Sequence, residues 1–297
     1  MKVVLAGGSG LIGTALSASL RDAGHQVTRL VRGEARQADR ASWDPARGTL
    51  DQGVLADADA VVCLSGANVG SKRWTDDYKQ TILRSRVDTV ATIARTLAAL
   101  GGAGPRIFLA ASAIGYYGDT GEHEVGEEAP PGDTFLSEVC VQWEAAAEPA
   151  RKAGVRVTHL RTAVVLERDA DLLKRLVPIA KAGLAGPIGS GRQYLSWISL
   201  RDEVAAIRFL LDHDLAGPVN LTAPAPATNR EFTKTLGRVL HRPTVLPVPG
   251  FAVRVVAGEL ATETLIGQRA VPRRLLDAGF TFTDSDLEAT LRTELHH

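Results

Sequence analysis

The chain has 297 residues, 45% of them hydrophobic, which is enough for a large core and two lobes and leaves little composition for disorder. Lys plus Arg and Asp plus Glu both number 34, so the formal net charge is zero and no nucleic-acid or anionic-membrane partner is implied. No apolar run reaches membrane-spanning length and the N-terminus opens on a strand rather than a signal peptide, so the expected setting is the cytoplasm.

Cys63 and Cys140 lie far apart in apolar surroundings and read as small buried hydrophobes rather than as a disulfide or metal pair. The seven histidines have no metal-ligand spacing, and His296 and His297 read as the remnant of an expression tag.

Lys2 to Ala6 is an apolar run of strand length leading into Gly7, Gly8, Ser9, Gly10, Leu11, Ile12 and Gly13. Strand, glycine turn and an alanine- and leucine-rich helix together form a dinucleotide-binding unit. The three spaced glycines permit a tight turn, close approach of backbone to a pyrophosphate, and tight packing of helix on strand. The phosphates then meet the free N–H groups and positive dipole end of the helix that starts near Leu11.

That helix runs to Ala23 and stops at Gly24, and Gln26 to Val31 is the second strand. An acidic residue at this strand end would bind the ribose hydroxyls of NAD, but the chain offers Arg29, Arg32 and Arg36. Arg32, with Arg29 or Arg36 as helpers, suits a 2′-phosphate, so NADP is the expected cofactor. Asp57 to Leu64 leads into a buried strand whose end places Leu64, Ser65 and Gly66 beside that cofactor.

Thr75 to Leu100 carries a helical apolar pattern stopped by Gly101 and Gly102, with Arg84, Arg86 and Arg95 read as its solvated side. Arg106 to Ala110 is a strand that delivers Ser112, Tyr116 and Tyr117 to the crevice beyond the strand ends, where hydroxyl chemistry is best placed. Asp133 to Ala153 reads as one helix, and Val155 to Leu160 as a strand ending at Arg161. Alternating strands and helices over residues 1–165 predict a Rossmann-type, doubly wound parallel α/β sheet covered on both faces.

Residues 166–297 are read as a smaller, mixed, mainly helical substrate lobe, with later strands adding to the first sheet. It opens with a helix from Leu172 to Ala182 and the glycine-rich loop from Gly183 to Arg192. Arg192 and Trp197, with Arg161, supply charge and aromatic surface for a polar small-molecule substrate. Pro218 to Thr222 is strand-like, Thr228 with Glu231 forms a capping box, and residues 245–295 are short helical pieces.

Taken together, the turn GGSGLIG, the loop SAIGYYG and the later GSGRQYLSWISLRDEV resemble the extended short-chain dehydrogenase/reductase superfamily. Residues 72–89, 133–144, 186–198 and 218–224, with the C-terminal stretch from Val248, are similar to its atypical epimerase-family subgroup. The resemblance implies an NADP-binding Rossmann domain and a small C-terminal lobe over a substrate cleft. Ala163 and Ser199 depart from the subgroup's usual glycine and histidine, and Glu167 to Asp171 lacks its usual glycine pair.

Catalytic members of the superfamily carry a tyrosine and a lysine one helical turn apart. Here the matching helix offers Phe135 with Val139, or Leu136 with Cys140. The proton source would then be Ser112, Tyr116 or Tyr117. Aligning Tyr117 and Gly118 with the superfamily's tyrosine-glycine pair puts Ala113, not Ser112, at its serine position. Two functions follow: an NADP-dependent reductase or epimerase acting on a polar small molecule, or a catalytically silent NADP(H) sensor or scaffold. The sequence sets no oligomeric state.

Overall fold

The computed structural model describes residues 1–295, so the two terminal histidines lie outside the described residues. Eight strands form the main sheet: β1 (Lys2–Ala6), β2 (Gln26–Arg32), β3 (Arg40–Asp44), β4 (Thr49–Leu50), β5 (Ala60–Cys63), β6 (Ile107–Ala113), β7 (Arg156–Thr162) and β8 (Gly217–Leu221). Their spatial order is β8-β7-β6-β5-β1-β2-β3-β4, parallel throughout except for the β3–β4 hairpin. From β1 the chain winds outward through β2 and β3, then returns to place β5 on the other side of β1. The strand order therefore reverses at β1 and β5, which opens a crevice beyond their C-terminal ends.

The long helices are α1 (Leu11–Asp22), α2 (Asp76–Ala99), α3 (Phe135–Ala145), α4 (Asp171–Lys181), α5 (Leu200–Asp212) and α6 (Asn229–Leu240). Alternation along the strands feeds two cores. Leu5, Val62 and Leu109 pack with Leu16 of α1 and Ile207 of α5, while Val4, Val61 and Phe108 pack with Val90 and Ile93 of α2 on the opposite face. Trp197, Phe232, Leu236 and Leu291 build a third core in the second half of the chain.

The structure adds to and changes the sequence reading in three places. The strand β3 carries no apolar alternation to announce it. The helix expected over 133–153 breaks after Ala145 and restarts at Glu148 with Pro149 in its first turn, because proline has no N–H to continue the first helix. The stretch from Tyr194 to Ser199 divides into two short strands, Tyr194–Leu195 and Trp197–Ser199, that pair with different partners.

The C-terminal segment is fastened to α5 and to the edge of the sheet by polar groups, most of them buried. Asp202, fully buried, accepts backbone N–H bonds from Thr283 and Asp284, and Arg201 pairs with Asp284 through two nitrogens. Asn220 and Thr222, at and just past the end of β8, hydrogen-bond the carbonyls of Val271 and Ala270. No helix among the described residues is long and apolar enough to cross a membrane.

Candidate functional site

The first part of the crevice is made of backbone. Gly7 follows β1 with φ +80°, and a β-carbon there would sit 2.6 Å from the Leu64 carbonyl carbon. A β-carbon on Gly13 would sit 2.3 Å from the Gly7 oxygen, so α1 can lie against the turn only if that residue has none. Leu64 is tied to β1 by its N–H bond to Ala6, which brings Leu64, Ser65 and Gly66 alongside the turn. Gly10 caps α1 without a side-chain hydrogen bond, and the first turn holds no acidic residue. Ser9 and Leu11 are exposed beside it, with Ile12 half-buried. A helix start with free N–H donors, no competing carboxylate and a floor cleared of β-carbons fits a pyrophosphate.

At the end of β2 the three arginines separate. Arg29 packs against Gly8 and pairs with Asp39 at 3.2 Å, and exposed Arg36 pairs with Glu34 at 3.2 Å. Arg32 is exposed, and its side chain makes no hydrogen bond or ion pair among the described residues. It is the one of the three with all its guanidinium donors open.

The β6 loop sends its groups in different directions. Ser112 is buried and donates to Glu144 Oε1 at 2.7 Å. Arg161, at the end of β7 and 2% exposed, grips the two oxygens of Glu144 at 2.8 and 2.9 Å. It also donates to the Tyr117 hydroxyl at 3.0 Å and to the Glu127 carbonyl at 3.2 Å. Tyr117 in turn donates to Asn220 Oδ1 at 2.7 Å. Burial opposes both charges of the Arg161–Glu144 pair, but the pairing outweighs it, holding Glu144 below and Arg161 above their ordinary pKa values. Burial pushes Tyr117 up to about 12, so it is a neutral hydroxyl with both hydrogen-bond roles committed inward.

Tyr116 differs. It is half-buried, its hydroxyl bonds to no protein group among the described residues, and its ring lies 3.5 Å from the Arg161 guanidinium carbon. Stacking on a buried, clamped arginine fixes the ring while leaving the phenol oxygen open. Of the three hydroxyls expected to do chemistry, two belong to a structural network and Tyr116 remains available.

The opposite face of β7 carries another buried acid. Glu203 of α5 accepts from Thr162 at 2.9 Å, while its other oxygen is buried without a partner. Burial raises its pKa to about 8, which keeps it protonated at neutral pH.

The substrate-side expectations need correcting. Trp197 is fully buried in the third core and donates its indole N–H to the Ala225 carbonyl, so it serves packing. Arg161 is saturated by Glu144 and Tyr117, as described above, and presents no surface to a ligand. Arg192 lies on the exposed rim, paired with Glu122 at 2.8 Å. Arg86, read as a solvated residue of α2, is instead half-buried, its guanidinium 5.0 Å from the Trp143 ring and in contact with Gly66. Its motif, RSR on a long polar helix, carried no signal of that placement.

On α3, Phe135 packs edge-on against Trp74 at 5.1 Å, with Lys79 of α2 over its ring at 5.5 Å. Val139 and Cys140 are buried, and the Cys140 thiol, pushed up to about 12 by burial, points to the Ala113 carbonyl. Lys79 pairs with Glu259 of the C-terminal segment.

Known proteins resemble this chain over most of its length. Residues 3–222 match the model of the NAD dependent epimerase/dehydratase family, and residues 248–294 match a domain of unknown function, DUF1731. The epimerase family protein ML0860 of Mycobacterium leprae is 47% identical over 282 residues, covering 94% of this chain and 91% of that protein. The crystal structure of human epimerase family protein SDR39U1 (isoform 2) with NADPH superposes with a TM-score of 0.90 at 32% identity, each chain fully covered. A nucleoside-diphosphate sugar epimerase from Corynebacterium glutamicum gives 0.81 at 33% identity, over 99% of this chain and 58% of that one.

Proposed function

The chain belongs to the NAD dependent epimerase/dehydratase family, and from that premise we propose that it binds NADPH along the C-terminal edge of its sheet and transfers hydride to or from a polar small molecule. The reaction is reductase-like if the product leaves after one transfer and epimerase-like if hydride returns to the other face. One observation carries the reading: a helix start without cap or acid stands over a glycine floor that no β-carbon can enter. NADPH bound to the human relative supports the choice of dinucleotide.

The cofactor supplies the hydride, and the chain supplies the rest. The N–H groups at the start of α1 hold the pyrophosphate, and Arg32 holds the 2′-phosphate. Tyr116 is the group that would give or take a proton at its phenol oxygen. Arg192 is the substrate candidate free to turn toward a polar ligand, because an exposed pair such as Arg192–Glu122 costs little to open.

Calorimetric titration tests the cofactor reading. NADPH should bind at least tenfold more tightly than NADH, and Arg32→Ala should remove most of the difference, since a charge-assisted contact contributes about 1.5–3 kcal/mol. Equal affinities in the wild-type protein would end the 2′-phosphate assignment. A second reading, an NADPH sensor or scaffold without turnover, is favoured by α3 carrying Phe135, Leu136, Val139 and Cys140 where a proton-bearing pair would stand. Tight NADPH binding with no oxidation across a broad carbonyl and nucleotide-sugar panel would select it.

A further inference from the structure

Arg86 carries a charge that the fold half-buries without supplying a counter-charge. Nη1 donates to the Ile82 carbonyl at 3.0 Å and the Trp143 ring covers one side. Among the described residues no carboxylate pairs with it, and its Nε and Nη2 donors meet no protein acceptor. Burial lowers its pKa, yet a guanidinium stays charged near neutrality. The donors that Ile82 does not use stay open at this half-buried edge, where a ligand can accept from them.

Its location says what that is. Along the strand ends the order is Arg32 on β2, the glycine turn after β1, Leu64 to Gly66 after β5, and Ala113 on β6. Neighbouring strands are about 4.8 Å apart, so the β5–β6 boundary is about 7 Å beyond the turn. A dinucleotide with its 2′-phosphate at Arg32 and its pyrophosphate at α1 therefore brings its second half to that boundary. Arg86 stands there, and a β-carbon on Gly66 would come within 3.2 Å of its guanidinium carbon. The Cys140 thiol, bonded to Ala113, interacts electrostatically with the same guanidinium. Cys140 is also the position that matches the superfamily lysine when Leu136 matches its tyrosine.

We propose that Arg86 is a cofactor-binding residue that holds the nicotinamide-side ribose hydroxyls, bringing from α2 the cation that α3 lacks. Two N–H donors in a fixed plane suit a vicinal diol. The proposal rests on the reading of the crevice as an NADPH site.

Calorimetry with two probes separates the two ideas: NADPH, and 2′-phospho-ADP, which has the adenine half with its 2′-phosphate and the pyrophosphate but no second ribose. Arg86→Gln should weaken NADPH about ten- to hundredfold and leave 2′-phospho-ADP within about twofold, whereas Arg32→Ala should weaken both. Arg86→Leu, which keeps an apolar stem against Trp143, serves if the glutamine variant does not fold. Arg86→Lys should restore part of the lost affinity. Wild-type protein that binds neither probe defeats the cofactor reading. Wild-type protein that binds both, with substitutions at Arg86 changing neither affinity or changing both equally, defeats the assignment to Arg86 alone.

Discussion

The crevice has two halves built from different material. Around β1 and β5 it is backbone: a turn, a helix start and the absence of side chains at Gly7 and Gly13. Around β6 and β7 it is a side-chain network in which Tyr117 meets Asn220 across 103 positions of sequence. A backbone site needs particular residue types at adjacent positions, whereas a side-chain network needs partners that only the finished fold brings together. The two halves should therefore fail differently when altered, one in ligand binding and the other in stability.

The largest loss is expected from Arg161→Ala. It strands the Glu144 carboxylate and removes a donor to Tyr117, and breaking a buried pair from one side costs about 3–5 kcal/mol. Urea unfolding at pH 7 measures it, and a loss under 1 kcal/mol would mean the network is not a stabilising unit. Next is Glu203. Its pKa rises from 4.5 unfolded to about 8 folded, so the folded state holds a proton that the unfolded state has released. The resulting stability is full below pH 4.5 and is lost as pH rises through about 8, which amounts to about 3 kcal/mol between pH 5 and pH 8. Glu203→Gln should flatten that slope and raise the melting temperature at pH 8; an unchanged slope would place the titration elsewhere.

These effects also mark what was legible beforehand. The sheet, the glycine turn and the choice of Arg32 as a candidate came from local signals, because glycine spacing and strand-end charge are written in neighbouring residues. Ser112 and Tyr117 were legible as crevice residues but not as network members, since Glu144, Arg161 and Asn220 reach them only through strand order. Trp197 misled because aromatic residues beside a glycine-rich loop suit a core as well as a ligand. Arg86 was hidden for the converse reason: a charged residue on a polar helix resembles every solvated arginine until Trp143 and Gly66 close around it.

The backbone half is probed by Gly7→Ala. A methyl group forced against the Leu64 carbonyl at φ +80° should cost about 1–3 kcal/mol and move Leu64 and Ser65 away from β1. NADPH affinity should fall by more than the stability loss explains, because in the proposed function the turn itself is the binding surface. Retained affinity in a destabilised protein would show that the turn is structural only.

The smallest effect on stability and the sharpest test of the comparison come from the adjacent tyrosines. Tyr117→Phe removes a hydroxyl with two buried partners, leaving Asn220 Oδ1 and an Arg161 N–H unsatisfied, at about 1–3 kcal/mol. Tyr116→Phe removes a hydroxyl with no protein partner, and its ring stays over Arg161, so stability should shift by less than about 0.5 kcal/mol. Turnover should follow the reverse order. With any substrate that oxidises NADPH, Tyr116→Phe should lower kcat about 100-fold or more while KM for NADPH holds, the usual scale for losing a general acid or base. Tyr117→Phe should keep most activity at temperatures where it remains folded. If Tyr117→Phe abolishes turnover without loss of stability while Tyr116→Phe is silent, the proton passes through the buried network, and the division between its binding and stabilising halves fails.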